Sequence, residues 1–156
     1  MTGEDARRSL LPDRRRVPRG GRRQHDAPGR DPLLLVADSY DQVRSVYVRY
    51  LNLFGFLVKE AQSAAETSDT LLTWAPRVIL AEPRMLTLPP MRAWAQARTE
   101  QRSRSTPIIL LTTDFDVPED VVSRFHPAAV LHKPFHLTSL TTAVRRALRA
   151  QAPVNS

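Results

Sequence analysis

Five short apolar runs alternate with segments of helical periodicity, and this alternation constrains the fold more than any other feature of the sequence. The runs occupy residues 33–37, 56–58, 78–81, 107–111 and 128–131. A short continuous apolar run bounded by polar or turn residues is typical of a strand buried on both faces. A helix that spans a bilayer needs about 20 apolar residues in succession, so none of these runs predicts a membrane segment.

The segments between the runs carry apolar residues on one helical stripe. In the first segment, those residues follow the spacing of one face of an α-helix. They are Val43, Val46, Tyr47, Tyr50, Leu51 and Phe54. Asp41 is a candidate N-cap of this helix, and Gly55 is a stop signal. Ser63 and Glu66 have the spacing of a capping box ahead of a second helix.

Local signals also predict three further helices. Pro89 and Pro90 can open a third helix, Asp116 can cap a fourth, and Leu137 begins the apolar stripe of a fifth. Strands that alternate with helices favour a parallel sheet covered by helices on both faces. The sequence therefore predicts an α/β fold, with a five-stranded parallel sheet, over residues 32–151.

Four polar residues stand at the ends of predicted strands one, three, four and five. They are Asp38, Glu82, Thr112 and Lys133. In an open parallel sheet, ligands bind beyond the carboxyl ends of the strands, where the strand order reverses. We therefore expect these side chains to meet in one site. Each also has a simpler interpretation, as a turn cap, a solvated strand-end acid, a hydroxyl that satisfies backbone groups, or a surface lysine.

The stretch from Leu33 to Ala150 resembles the receiver domain of response regulators, the CheY-like family of two-component (phosphorelay) signal transduction. Four fragments carry the resemblance, and they are Leu35–Asp38, Pro76–Glu82, Thr106–Thr113 and Leu131–Phe135. In this family two adjacent acids end strand one, the phosphorylated aspartate ends strand three, Ser or Thr ends strand four, and Lys-Pro ends strand five. The resemblance implies a flavodoxin-like (βα)5 architecture. It places Glu82 at the phosphoacceptor position, and Thr112 and Lys133 at the phosphate-binding switch positions.

Two departures from the family pattern affect phosphotransfer. One acid is missing from the first motif, and Ala37 is interpreted as its position, so Asp38 alone remains to bind Mg²⁺. Mg²⁺ demands near-octahedral oxygen ligands, and its binding is therefore expected to be weak. Glu82 adds one methylene, which moves its carboxylate by about 1.5 Å. Since a shift of about 1 Å can cost roughly 100-fold in a positioned reaction, we expect crippled phosphotransfer and no required cofactor.

Other positions near the site also differ from the family. The loop over residues 83–90 lacks the usual Asp-Gly pair, and Val130 stands where an aromatic residue often swings inward on activation. His132 and His136 flank Lys133 without helical spacing, so a metal site there is not expected.

Residues 1–31 differ in composition from the rest of the chain. They contain nine arginines against five acidic residues, and no aromatic residue. Such a segment cannot bury enough apolar surface to offset its ordering entropy. It is predicted to be a disordered, Arg-rich tail, and residues 152–156 a short C-terminal tail.

The absence of cysteine and of an apolar signal-peptide core favours a cytoplasmic protein. The preference for arginine over lysine is typical of a GC-rich bacterial genome.

Three functions fit these observations. The first is a phosphate-independent, non-enzymatic receiver module, in which Glu82 pairs with Lys133 and Thr112 through a charge-assisted contact. The second is a receiver that still accepts phosphate weakly with Mg²⁺. The third is a nucleic-acid-associated protein that acts through the arginines of residues 1–31.

The predicted partner site lies on the face formed by the fourth helix, the fifth strand and the fifth helix, which is a common partner site in the family. The fifth predicted helix presents Arg145, Arg146 and Arg149 opposite its apolar stripe. These charges favour an acidic patch on the partner, which could be a histidine kinase or an output protein. No membrane partner is expected.

Removal of residues 1–31 should leave the thermal stability of the remaining chain nearly unchanged, because that segment has too few apolar residues to contribute to a core. Thermal unfolding of the full and shortened chains, followed by circular dichroism, measures this. A loss of more than about 4 °C, which corresponds to roughly 1 kcal/mol in a small domain, would mean that the tail packs on the domain.

Overall fold

A computed structural model describes residues 33–100, 106–113 and 117–151. The predicted tails, residues 1–31 and 152–156, lie outside the described residues, and so does Asp116, the predicted cap of the fourth helix.

The five predicted strands form one parallel sheet. The strands are β1 (Leu33–Ala37), β2 (Leu57–Ala61), β3 (Val78–Ala81), β4 (Ile108–Thr112) and β5 (Ala129–His132). Their order across the sheet is β2-β1-β3-β4-β5. Every neighbouring pair is parallel, so the predicted α/β fold with a five-stranded parallel sheet is confirmed. The chain reverses its direction across the sheet between β1 and β3, where such sheets bind ligands.

Helical segments follow each strand. They are α1 (Asp41–Leu53), α2 (Ala64–Thr73), α3 (Pro83–Thr87), a 3-10 turn (Pro89–Met91), α4 (Arg92–Glu100), α5 (Glu119–Phe125) and α6 (Leu137–Gln151). None of the helices in the described ranges is long and apolar enough to cross a membrane.

The short helix α3 was not predicted from the sequence. Pro83 is its first residue, a position where the missing N–H of proline costs nothing, and Met85 and Leu86 are buried against the sheet. Pro89 and Pro90 do not open a full α-helix but form the 3-10 turn ahead of α4. The segment after Glu82 is therefore held in place by its own apolar side chains.

The core has two layers, one on each face of the sheet, because successive strand residues point to opposite faces. In β1, Leu35 and Ala37 pack with the side chains of α2 to α5. Leu34 and Val36 pack on the other face with the apolar stripes of α1 and α6. The stripe of α1 includes Leu51, which is fully buried.

The end of α1 and the starts of α1 and α2 test the helix caps that the sequence predicts. Gly55 follows α1 with a φ of 90°, as expected of a glycine stop. The Ser63 hydroxyl accepts a hydrogen bond from Glu66 N at 3.2 Å, as the capping box predicts. The prediction of Asp41 as an N-cap is wrong by one residue, because Asp41 is the first helical residue and Tyr40 precedes it without a side-chain cap.

The buried residue Arg98 fastens α4 to two other elements. Its guanidinium donates hydrogen bonds to Thr106 O and, at 3.0 Å, to Phe125 O at the end of α5. Burial lowers the pKa of Arg98 to about 10. These hydrogen bonds satisfy the backbone carbonyl groups just before β4 and at the end of α5, which would otherwise lack donors.

Two leucines of α1 provide a matched test of this packing. Leu51 is 0% exposed and Leu53 is 82% exposed. Leu51→Ala should lower the free energy of unfolding by about 2–5 kcal/mol, because it leaves a cavity in the core. Leu53→Ala should change it by less than about 0.5 kcal/mol. Urea denaturation of both variants measures the difference, and equal losses would contradict the described orientation of α1.

Candidate functional site

The four polar residues predicted to meet do lie at one edge of the sheet. Asp38 and Glu82 directly follow β1 and β3, and the backbone N–H of Glu82 donates to Ala37 O at 3.1 Å. Thr112 ends β4, and its carbonyl accepts a hydrogen bond from Lys133 N at 2.8 Å. The backbone of neighbouring strands thus brings these four side chains to the same carboxyl edge.

Asp38 and Lys133 form the tightest ionic contact of the site. Lys133 Nζ lies 2.7 Å from Asp38 Oδ2, and the two side chains are 12% and 0% exposed respectively. The other carboxylate oxygen, Oδ1, accepts a hydrogen bond from Tyr40 N at 2.9 Å. Because a buried carboxylate without a partner is strongly unfavourable, the Lys133 ammonium compensates the burial of the Asp38 carboxylate.

Glu82 has a different main partner from the one predicted. Its Oε1 accepts two hydrogen bonds from Ser39, one from the backbone N–H and one from the hydroxyl, both at 3.0 Å. Its Oε2 lies 3.9 Å from Lys133 Nζ, which is an ion pair without a hydrogen bond. The longer side chain of glutamate reaches the loop after β1, and Lys133 is left closest to Asp38. The predicted contact of Glu82 with Lys133 is therefore present but secondary.

Ala37 does not occupy the position of the missing acid. Its side chain is fully buried in the apolar layer that also holds Leu35 and Ile79. It belongs to the strand face that points into the core, away from the pocket. Ser39, the residue directly after Asp38, is the one that contacts Glu82. We therefore correct the interpretation: the missing second acid corresponds to Ser39.

Arg44 anchors the loop that carries Asp38 and Ser39, a role that the sequence did not reveal. Its Nε donates to Glu60 at 2.8 Å, its Nη1 to Asp38 O at 2.7 Å, and its Nη2 to Asp41 at 2.8 Å. Burial acts to lower the pKa of Arg44, but the hydrogen bonds to Glu60 and Asp41 outweigh it and raise the pKa. Only the spacing from Asp41 to Arg44 was visible in the sequence, since the other two partners depend on the fold.

Tyr47 lies close enough to the pocket for its pKa to respond to the two carboxylates there. Its ring is stacked on Phe135 with centroids 5.5 Å apart, and the residue is 7% exposed. Burial raises the pKa of the Tyr47 phenol to about 12, and the charges of Asp38 and Glu82 add to the shift. Two carboxylates share one lysine, so the pocket disfavours a third anion nearby.

A cavity of about 320 Å³ opens beside Glu82. Its lining is formed by Tyr40, Glu82, Pro83, Arg84, Thr87, Leu111, Thr112, Thr113 and Pro118. Lys133 Nζ lies 5.7 Å from the Tyr40 ring centroid, so this aromatic ring stands at the edge of the ionic cluster. Thr112 is 3% exposed and lines the same cavity as Glu82. The predicted pairing of Thr112 with Glu82 stays a prediction.

The residues of this pocket do not fit the Mg²⁺ ion that the resemblance implies. Both oxygens of Asp38 and one oxygen of Glu82 already accept hydrogen bonds. Within residues 33–100, 106–113 and 117–151, no group of three or more His, Cys, Asp or Glu side chains could hold a metal. A hard cation that prefers several anionic oxygens would have to displace Lys133 and break these bonds.

The three arginines of α6 are all exposed, opposite the buried Leu140 and Val144, but two of them border different surfaces. The guanidinium carbon of Arg145 lies 5.6 Å from the centroid of the Phe54 ring, on the side of α1. Arg146 instead lines a groove of about 480 Å³ between β5 and α6, which we call the β5–α6 groove. Consecutive helix positions are separated by about 100°, which explains the divergence. Of the predicted set, Arg146 therefore borders this groove, while Arg145 lies against Phe54.

Comparisons with solved structures support the fold. The response regulator CheY4 of Vibrio cholerae is 21% identical, matches with a TM-score of 0.64, and the match covers 76% of this chain and 99% of that one. A signal receiver domain of an HD domain-containing protein from Pseudomonas fluorescens Pf-5 is 22% identical, with a TM-score of 0.66, over 80% and 92% of the two chains. Full-length FixJ from B. japonicum is 25% identical, with a TM-score of 0.65, over 80% and 61%.

No family model matches the sequence. No curated protein matches it either. The structural matches show that the chain has the flavodoxin-like fold of CheY-like receiver domains.

Loss of the Lys133 ammonium should be costly because it leaves the Asp38 carboxylate buried without its cation. Lys133→Met is expected to lower the free energy of unfolding by about 3–5 kcal/mol. The double variant Asp38→Asn with Lys133→Met should regain part of that loss, since the amide oxygen can still accept from Tyr40 N. Urea denaturation of the unmodified chain, Lys133→Met, Asp38→Asn and the double variant forms the thermodynamic cycle.

Lys59 is the matched control, since it is the only other lysine of the sequence and its ammonium lies 4.0 Å from the Trp74 ring centroid. Lys59→Met should cost no more than about 1 kcal/mol. Equal losses of unfolding free energy in Lys133→Met and Lys59→Met would show that the ion pair with Asp38 contributes no more to stability than the Lys59 contact.

Proposed function

We propose that this chain, which has the fold of CheY-like receiver domains, is an atypical receiver module of two-component signal transduction that acts through protein contacts and without phosphoryl transfer. The observation that carries the proposal is the closed ionic cluster at the carboxyl edge of the sheet. Lys133 lies 2.7 Å from Asp38, and Ser39 donates both of its hydrogen bonds to Glu82.

The cluster explains how such a module can work without a phosphoryl group. A receiver responds when added charge changes the contacts of its strand-end lysine and hydroxyl groups. Here the Glu82 carboxylate supplies a permanent negative charge that reaches the loop after β1. A charge that is always present favours one conformation at all times, because no ligand is needed to shift the population. The fixed cluster therefore favours a constitutive state.

The chemistry of the site supports a non-enzymatic role. A phosphoacceptor must place its carboxylate in line with the donor and close to a metal ion. Glu82 directs one oxygen to Ser39, and the Asp38 carboxylate is engaged by Lys133 and Tyr40 N. Both groups are committed to internal contacts, so we infer that the module is not a phosphotransfer catalyst and that Mg²⁺ is not its cofactor.

We place a partner of this module, such as a histidine kinase or an output protein, at the β5–α6 groove. β5 is an edge strand of the sheet, and the groove beside it is open to solvent. Small side chains line most of it, with Arg146 as its charged member. An acidic side chain of the partner would meet that guanidinium with bidentate geometry. The expected cellular location of these contacts is the cytoplasm.

Phosphate incorporation from acetyl phosphate tests the proposed function. The unmodified chain with Mg²⁺ should show labelling near background on a Phos-tag gel. Glu82→Asp should restore a small fraction of labelling, because the metal site remains short of one carboxylate. Ser39→Asp combined with Glu82→Asp should restore much more, and the two effects should not be additive, since both residues would serve one metal-bound phosphoryl group.

Ala37→Asp combined with Glu82→Asp is the matched control. A carboxylate at residue 37 enters the apolar layer of the core, so this variant should lose stability without gaining phosphate over Glu82→Asp alone. Near-stoichiometric labelling of the unmodified chain would contradict the proposal and favour a working receiver.

A further inference from the structure

A second surface lies on α1 and α6, away from the ionic cluster and from the β5–α6 groove. It consists of three apolar residues of the α1 segment, Val46, Leu53 and Phe54, bordered by Arg49 and Arg145. Val46 is 48% exposed, Leu53 is 82% exposed and Phe54 is 47% exposed. We call these five residues the α1–α6 surface.

The aromatic ring of this surface, Phe54, has one neighbour on α1 and one on α6. The Phe54 ring packs on Tyr50, with centroids 4.9 Å apart. The Arg145 guanidinium lies over Phe54 at 5.6 Å. Val46, Arg49 and Leu53 share one side of α1, because they are spaced by three and four residues. Side chains that already pack against neighbours lose less rotamer freedom when a partner binds them.

Within the part of the chain that the structure describes, the cations of this surface lack acidic partners. α6 contains no acidic residue, and none of residues 121–156 is acidic. The only acid of α1 is Asp41, which pairs with Arg44 at 2.8 Å. Among the described residues, no carboxylate forms an ion pair with Arg49 or Arg145. A partner that brings carboxylates would therefore gain charge-assisted contacts without breaking existing ones.

The same charges disfavour two other occupants. A second copy would bring cations against cations, and the formal net charge of the chain is +7. A lipid bilayer requires apolar side chains that can insert into it. Arg145 covers one face of Phe54, and Leu53 is the single large apolar residue of the surface with most of its area free.

We propose that the α1–α6 surface binds an acidic amphipathic helix of a partner protein. Leucine or similar residues of that helix would cover Leu53 and Phe54, and flanking carboxylates would pair with Arg49 and Arg145. An amphipathic helix contacts its partner through apolar anchors at helical spacing. The surface contains none of the pocket residues, so this proposal is independent of the phosphorylation state of Glu82.

The test uses the full-length chain and a synthetic peptide of about 18 residues, long enough to form a partial helix. The peptide carries leucines on one face and glutamates beside them. Amide shifts in ¹⁵N NMR spectra should change around Leu53, Phe54 and Arg145 as this peptide is added. A second peptide with lysine in place of glutamate should cause no change at equal concentration.

Variants of the surface sharpen the test. Leu53→Ala and Arg145→Glu should each weaken peptide binding by about tenfold, as expected of residues at the centre of a contact. Leu72→Ala and Arg124→Glu are matched controls on other exposed helix faces and should change the affinity by less than about twofold. Circular dichroism should show the same unfolding temperature for Leu53→Ala as for the unmodified chain.

Four results would overturn the proposal. The first is no shift changes with the acidic peptide, and the second is equal binding of both peptides. The third is shift changes confined to the β5–α6 groove. Sedimentation with vesicles of anionic phospholipid that is lost in Leu53→Ala would assign the surface to a membrane instead, and would equally overturn it.

Discussion

The buried ion pair between Asp38 and Lys133 is the constraint on which the rest of the site depends. A carboxylate with no exposed surface needs a cation and hydrogen-bond donors, because its burial without them is strongly unfavourable. Lys133 and Tyr40 N meet both needs at 2.7 Å and 2.9 Å. Because Lys133 is committed to Asp38, Glu82 takes its main contacts from Ser39. The choice of partner for one carboxylate thereby determines the partner of the other.

Ser39 and Glu82 form a complementary pair. Glutamate carries its carboxylate about one C–C bond farther than aspartate, and serine leaves room for it while donating two hydrogen bonds. A carboxylate at residue 39 would face the Glu82 carboxylate instead, and like charges at such distances repel unless a cation lies between them. The two departures from the receiver pattern thus match each other in length and in hydrogen bonding.

The fold could be predicted from the sequence because its signals are local and repeated. The five apolar runs and the stripe of α1 predicted the strands and the first helix, and Gly55 predicted where that helix ends. The convergence of strand-end residues also followed from the topology of parallel sheets. The sequence did not predict α3, because Pro83 at a helix start resembles Pro83 in a loop until the burial of the residues after it is known.

The pairing of side chains in the site could not be predicted, since it depends on directions that sequence spacing does not give. Ala37 and Ser39 are equally near Asp38 in the chain, but only Ser39 faces Glu82, while Ala37 points into the core. Arg44 was hidden for the same reason, because a charged residue inside an amphipathic helix is usually solvated. Its burial depends on Glu60, which approaches it only through the pairing of β1 with β2.

The two surfaces outside the pocket share a chemical character. Arg146 borders the β5–α6 groove and Arg145 the α1–α6 surface, and both belong to a helix with no acidic residue. Under the proposed function, the presentation of both surfaces does not depend on a phosphoryl donor. Such a module would respond to the abundance of its partners, since binding is then governed by concentration alone.

A high-resolution crystal structure of the protein grown with Mg²⁺ and beryllofluoride tests the central claim most directly. We expect that Lys133 Nζ remains at hydrogen-bond distance from Asp38, that Glu82 keeps both contacts with Ser39, and that neither the metal nor the phosphoryl mimic occupies the pocket. Mg²⁺ bound to Asp38 and Glu82, with Lys133 displaced and beryllofluoride on the Glu82 carboxylate, would contradict the account.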